Sequence, residues 1–143
     1  IILVTGASSG IGRGIAVTCS KMGATIIING RNMERLKETF SQLEGEGHIV
    51  AVGDLTESAS LIEMVGNLPK LDGLVQCAGL GQRIPCKDLH SEDVNHVMDV
   101  NFKAPVMLQA ELLRQKKINK GASIVFFASI ASWSPSIGNP KCN

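Results

Sequence analysis

What this sequence lacks narrows its function before any motif is considered. Its 14 lysines and arginines nearly balance 13 aspartates and glutamates, leaving a net charge of +1. A balanced chain offers no basic field for nucleic acid or for an anionic membrane surface. No apolar run approaches the roughly 20 residues that a helix needs to cross a bilayer. The opening Ile1-Ile2-Leu3-Val4 is too short for a secretory signal and has no cationic flank. It begins without Met, inside an apolar run, which predicts a short missing N-terminus. Cys19, Cys77, Cys86 and Cys142 form no CxxC pair, and His48, His90 and His96 stand far from most of them. A metal site is therefore not expected, and the scattered unpaired thiols fit a reducing, cytoplasmic setting. Tyrosine is missing altogether, which removes the phenol from the available proton carriers.

What is present is ordinary for a globular domain: 44% apolar and 19% charged residues in a chain of 143, enough for one real core. Short β-branched runs alternate with longer helical stretches. Strands are expected at 1–4, 25–28, 48–52, 74–77 and 123–128. Helices are expected at 11–22, 33–43 and 57–67, the last starting at Thr56 and closed by Pro69, and in a long region at 91–117 that Pro105 breaks. The first strand does not alternate, so it is buried on both faces. This order implies an α/β fold: a Rossmann-like, doubly wound, open parallel sheet in a three-layer αβα arrangement. No repeat or internal boundary is visible, so residues 1–143 read as a single domain, incomplete at its C-terminus.

The sharpest signal is Thr5-Gly6-Ala7-Ser8-Ser9-Gly10-Ile11-Gly12, between the first strand and first helix. A phosphate at a helix N-terminus meets free N–H groups and the positive end of the dipole. Gly6 and Gly10 would let it approach the backbone, Gly12 would let the helix pack on the strand, and Ser8 and Ser9 add hydroxyl donors. The alternative is a flexible turn that happens to contain glycines; the strand–loop–helix context argues against it.

Thr-Gly-x-x-x-Gly-Ile-Gly resembles the short-chain dehydrogenase/reductase family, in its NADP-type branch and near the 3-oxoacyl-acyl-carrier-protein reductases. Four further segments are similar in family order. Asp54-Leu55 sits where the family holds the adenine. Gln76-Cys77-Ala78-Gly79 looks like the family's Asn-Asn-Ala-Gly, with Ala78 and Gly79 intact beside the cofactor and the Asn pair replaced. Val100-Asn101 resembles the Val-Asn of a bent helix, whose Asn holds a water in a proton relay. The strand 123–128 leads to Ser129, which the resemblance makes the catalytic serine; Ser132 comes one helical turn too late.

The resemblance implies an oxidoreductase moving a hydride between nicotinamide and a carbonyl or alcohol substrate: a ketone, a sugar or a 3-oxoacyl thioester. After the second strand, a carboxylate would bind the ribose hydroxyls of NAD, and a cation the 2′-phosphate of NADP. Here the sequence is Asn29-Gly30-Arg31-Asn32, which favours NADP over NAD, with Arg13 as a second positive charge. If both arginines are merely solvated, that preference lapses. The family's tyrosine, roughly a dozen residues past the serine, would fall near Cys142, and no lysine partner follows; Lys141 precedes that position. The chain is thus either incomplete or a non-catalytic dinucleotide-binding module, an inert truncated fragment at the extreme. A methyltransferase, the third option, would want an acidic residue where Arg31 stands. By resemblance the long helix pairs subunits, so a homo-oligomer, dimer or tetramer, is expected.

Overall fold

A computed structural model of the chain describes residues 1–129. Its elements are β1 (Ile2–Thr5), α1 (Gly10–Lys21), β2 (Ile26–Gly30), α2 (Met33–Phe40), β3 (Ile49–Val52), α3 (Ser58–Asn67), β4 (Leu71–Gln76), α4 (Ser91–Met98), α5 (Ala104–Arg114) and β5 (Ile118–Phe126). A 3₁₀ turn covers Cys86–Asp88, and a π turn, Asp99–Lys103, joins α4 to α5. The sheet order is β3-β2-β1-β4-β5, and every pairing is parallel. This is the expected doubly wound αβα arrangement.

Strand side chains alternate between faces, so the unbroken apolar runs of β1 and β2 feed two cores. Leu3, Ile27 and Leu74 pack with Leu61, Val65, Leu108 and Leu112 on the α3–α5 side. Val4, Ile26 and Ile28 pack with Ala16 and Leu36 on the α1–α2 side. Each such Leu or Ile contributes about 1.5–3 kcal/mol on burial. Among the described residues, no helix is long and apolar enough to cross a membrane.

Several element ends differ from the sequence expectation, for local reasons. β4 and β5 begin earlier, at Leu71 and Ile118. Asp72-Gly73 and Lys120-Gly121 look like turn punctuation, yet Asn119 Nδ2 donates to Asp72 Oδ1 at 2.7 Å and ties the two strands there. The register slips between Leu71 and Gly73 to accommodate this. α3 takes Glu57 as its N-cap, because the N–H and hydroxyl of Thr56 are both directed to Asp54 Oδ1. The long helix is interrupted just ahead of Pro105. Proline has no N–H for the carbonyl of residue 101, and the Ala104 N–H instead donates to Asp99 O, five residues back.

The chain leaves β1 toward β2 on one side and returns to β4 on the other. That reversal of strand order opens a crevice beyond the C-terminal ends of β1 and β4, the usual ligand position in such sheets.

Candidate functional site

The crevice is a cleft of about 320 Å³. Gly6, Ser8, Ser9, Gly10, Ile11, Gly12, Arg31, Asp54, Leu55, Ala78 and Gly79, all expected from the sequence, line it, together with Asn29, Gly53, Thr56, Cys77, Val100 and Ala104. The loop after β1 is held very close to β4. Gly6 has φ of +65°, and a Cβ on it would stand 2.8 Å from both Ala78 N and Cys77 O. A Cβ on Gly12 would stand 2.4 Å from Gly6 O, so α1 can approach the loop only as glycine. The Ala78 N–H donates to the Thr5 hydroxyl at 3.1 Å, which locks the ends of β1 and β4 together. Apart from Gly10 itself, its chain neighbours and the backbone of its own helix, no described heavy atom lies within 4 Å of a Cβ placed on Gly10. Ser9, the N-cap of α1, makes no side-chain cap bond and the first turn holds no acid, so that turn can receive an anion.

Arg13 braces this loop from behind. Its Nη2 donates to Ser8 O at 2.6 Å and to Glu38 Oε2 at 3.0 Å, and its Nε to Thr39 Oγ1 at 2.9 Å. The buried Thr39 hydroxyl donates in turn to Ala7 O at 2.8 Å. The sequence suggested Arg13 as a second cation for phosphate; its charge is instead matched by Glu38.

The opposite wall carries Arg31 and Asp54, with Arg31 Nη1 at 3.6 Å from Asp54 Oδ2. Asp54 Oδ1 accepts from the Thr56 N–H at 2.9 Å and the Thr56 hydroxyl at 2.7 Å. Partial burial pushes the Asp54 carboxyl up, but the Thr56 hydrogen bonds and the Arg31 charge outweigh it and hold it below the usual carboxylate value. Asn29, in the cleft floor, was not singled out from the sequence. Its buried Nδ2 donates to Ala51 O at 2.9 Å and pins β3 to β2. A lone amide inside the run Ile26-Ile27-Ile28-Asn29 was the available signal, since a buried polar group must find a partner.

At the end of β4, Gln76 Nε2 donates to Pro105 O at 3.1 Å, while its buried Oε1 has no hydrogen-bond partner among the described residues. Cys77 lines the cleft, and burial pushes its thiol pKa up. Asn101 sits in the π turn and grips Leu80 at both backbone groups: Oδ1 accepts from Leu80 N at 2.8 Å and Nδ2 donates to Leu80 O at 2.9 Å. The clamp holds the chain leaving Gly79 against the helix. Ser129 lies past β5 and is exposed. Ser132 and the segment 140–143 lie outside the described residues. The structure therefore gathers the glycine loop, Arg31, Asp54-Leu55 and Ala78-Gly79 into one cleft, with Asn101 beside it.

The sequence pattern of the short chain dehydrogenases matches residues 1–141. A 3-oxoacyl-acyl-carrier-protein reductase of Rickettsia bellii is 35% identical over 138 residues, 96% of this chain and 56% of that protein. The oxidoreductase YciK of Escherichia coli is 37% identical over 139 residues, 90% of this chain and 55% of that protein. Among solved structures, a short chain dehydrogenase of Shigella flexneri complexed with NADP superposes with a TM-score of 0.86 at 32% identity, over 99% of this chain and 64% of its own. The chain thus spans just over half the length of the curated relatives it matches.

Proposed function

This chain belongs to the short chain dehydrogenase family, and on that premise we propose that the whole protein is an oxidoreductase using NADP in preference to NAD. The observation that carries the cofactor preference is Arg31 on the cleft wall next to Gly30, where an NAD site would present a carboxylate. The NADP bound to the Shigella relative supports it.

The cleft fits a dinucleotide: Gly10 faces open space, and the first turn of α1 has no side chain on its free N–H groups. Gly6, Ser8, Ser9, Gly10, Ile11 and Gly12 hold the diphosphate, and Arg31 the 2′-phosphate. Asp54 and Leu55 receive the adenine; Ala78 and Gly79 leave room for the nicotinamide side. When bound, the cofactor supplies or accepts a hydride at a carbonyl or alcohol carbon. Ser129 is assigned to the substrate oxygen, and Asn101 to the water of a proton relay. The substrate is a ketone, a sugar or a 3-oxoacyl thioester; the Rickettsia relative's name favours the last. A reducing, cytoplasmic setting is in keeping with the free thiols of Cys19, Cys77 and Cys86. Val94, Met98, Phe102 and Val106 recur every four residues through α4, the π turn and α5 and are exposed, which suits a homo-oligomer.

A second reading, a dinucleotide-binding module without catalysis, is favoured by the absence of tyrosine from all 143 residues. NADPH oxidation by the full-length protein against a carbonyl panel separates the two, with calorimetric NADP titration alongside. Turnover of any carbonyl supports the reductase. Binding without turnover leaves the module, and no binding sinks both.

A further inference from the structure

Among the described residues that line the cleft, Arg31 is the sole cation and Asp54 the sole carboxylate. They stand 3.6 Å apart, beyond ordinary hydrogen-bond length. Asp54 is the fixed partner, because Thr56 engages its Oδ1 twice, at 2.9 and 2.7 Å. That leaves Oδ2 toward the guanidinium. Arg31 is the movable partner, its side chain 63% exposed.

We infer that Asp54 tunes the choice between NADP and NAD by partly neutralising Arg31, so that its carboxylate competes with a 2′-phosphate for the guanidinium. The inference rests on the assignment of Arg31 to the 2′-phosphate. Two effects of opposite sign decide what Asp54 does. If it chiefly oriented Arg31, its removal would weaken phosphate recognition. If it chiefly cancelled the charge, its removal would strengthen it. At 3.6 Å to a well-exposed side chain the orientation is loose, whereas neutralisation needs only proximity of charge. Neutralisation therefore dominates, and Asp54 is a specificity-determining residue that holds discrimination below what Arg31 alone would give.

Any contact Asp54 makes with the adenine is common to both cofactors and cancels in the ratio of their dissociation constants. The test is calorimetric titration of NADP⁺ and NAD⁺ into the full-length protein and its Asp54→Asn variant, which keeps an acceptor for Thr56. The ratio Kd(NAD⁺)/Kd(NADP⁺) should rise about two- to fivefold, as expected for a weak exposed ion pair. In an Arg31→Ala background the same substitution should leave the ratio within about twofold. A ratio that stays or falls in Asp54→Asn, or one that rises equally without Arg31, overturns the inference while the NADP assignment stands. A wild-type protein that does not prefer NADP⁺ overturns the assignment and the inference together.

Discussion

Lys116 turns the chain from α5 into β5 with φ of +56°, the only positive value outside glycine among the described residues. A side chain in that region costs about 1–2 kcal/mol. Lys117, next in line, gives the turn its purpose: its ammonium donates to Gly66 O at 2.8 Å and Leu68 O at 2.6 Å, capping the negative end of α3. Lys116→Gly should relieve the strain and, after the entropy of a freer unfolded chain, raise stability by about 0.5–1 kcal/mol in urea unfolding. A loss of stability would mean that the Lys116 side chain offsets its own backbone cost. At this scale the sequence was legible wherever a residue's type alone sets its task. Gly12, which lets the first helix close on the loop after β1, is of that kind. It was not legible where a partner decides. His48 was expected to open a strand, but its Nδ1 accepts from the Ile26 N–H at 3.0 Å, so Nε2 carries the hydrogen and donates to Glu44 O at 2.9 Å. Nothing in the order of residues announces a ring bridging a strand and a turn, nor that Arg13 would turn away from the cleft to Thr39 and Glu38.

Among the elements, the joint between β4 and the α4–α5 helix holds a buried amide that the described residues satisfy only in part. Gln76 Nε2 reaches Pro105 O, and no described residue partners its buried Oε1. The net worth of the bond is about 1 kcal/mol, while an unpaired buried acceptor costs about 1–3 kcal/mol. Gln76→Met, of similar volume, should therefore match or exceed the wild type in thermal stability. A drop larger than about 2 kcal/mol would show that Oε1 gains a hydrogen bond in solution. Pro105 marked this joint in the sequence, though as a break rather than as a π turn with Asn101 clamped to Leu80. The starts of β4 and β5 were misplaced because Asp72-Gly73 and Lys120-Gly121 carry the composition of turns, and only their pairing across the sheet makes them strand.

For the whole molecule, the layered fold was legible because it rests on the alternation of apolar strand and amphipathic helix, which composition and period both express. A homo-oligomer was expected only through resemblance; the exposure of Val94, Met98, Phe102 and Val106 emerges once the helices are placed. Phe102, 61% exposed, stands in the middle of these four. Phe102→Asp should shift the full-length protein to a smaller species in analytical ultracentrifugation, with its circular dichroism unchanged; an unaltered sedimentation coefficient would place the subunit contact elsewhere. The sheet order has a kinetic consequence as well. Ile2 pairs with Ile26 on one side and with Gly73 on the other. During synthesis, the glycine loop and Arg31 can come together as soon as β2 emerges, whereas Ala78 and Gly79 arrive only after β3 and α3 have been made. Closing the longer loop is the slower event, so one wall of the cleft waits for the other, and a nascent chain can touch a phosphate well before it can grip a dinucleotide.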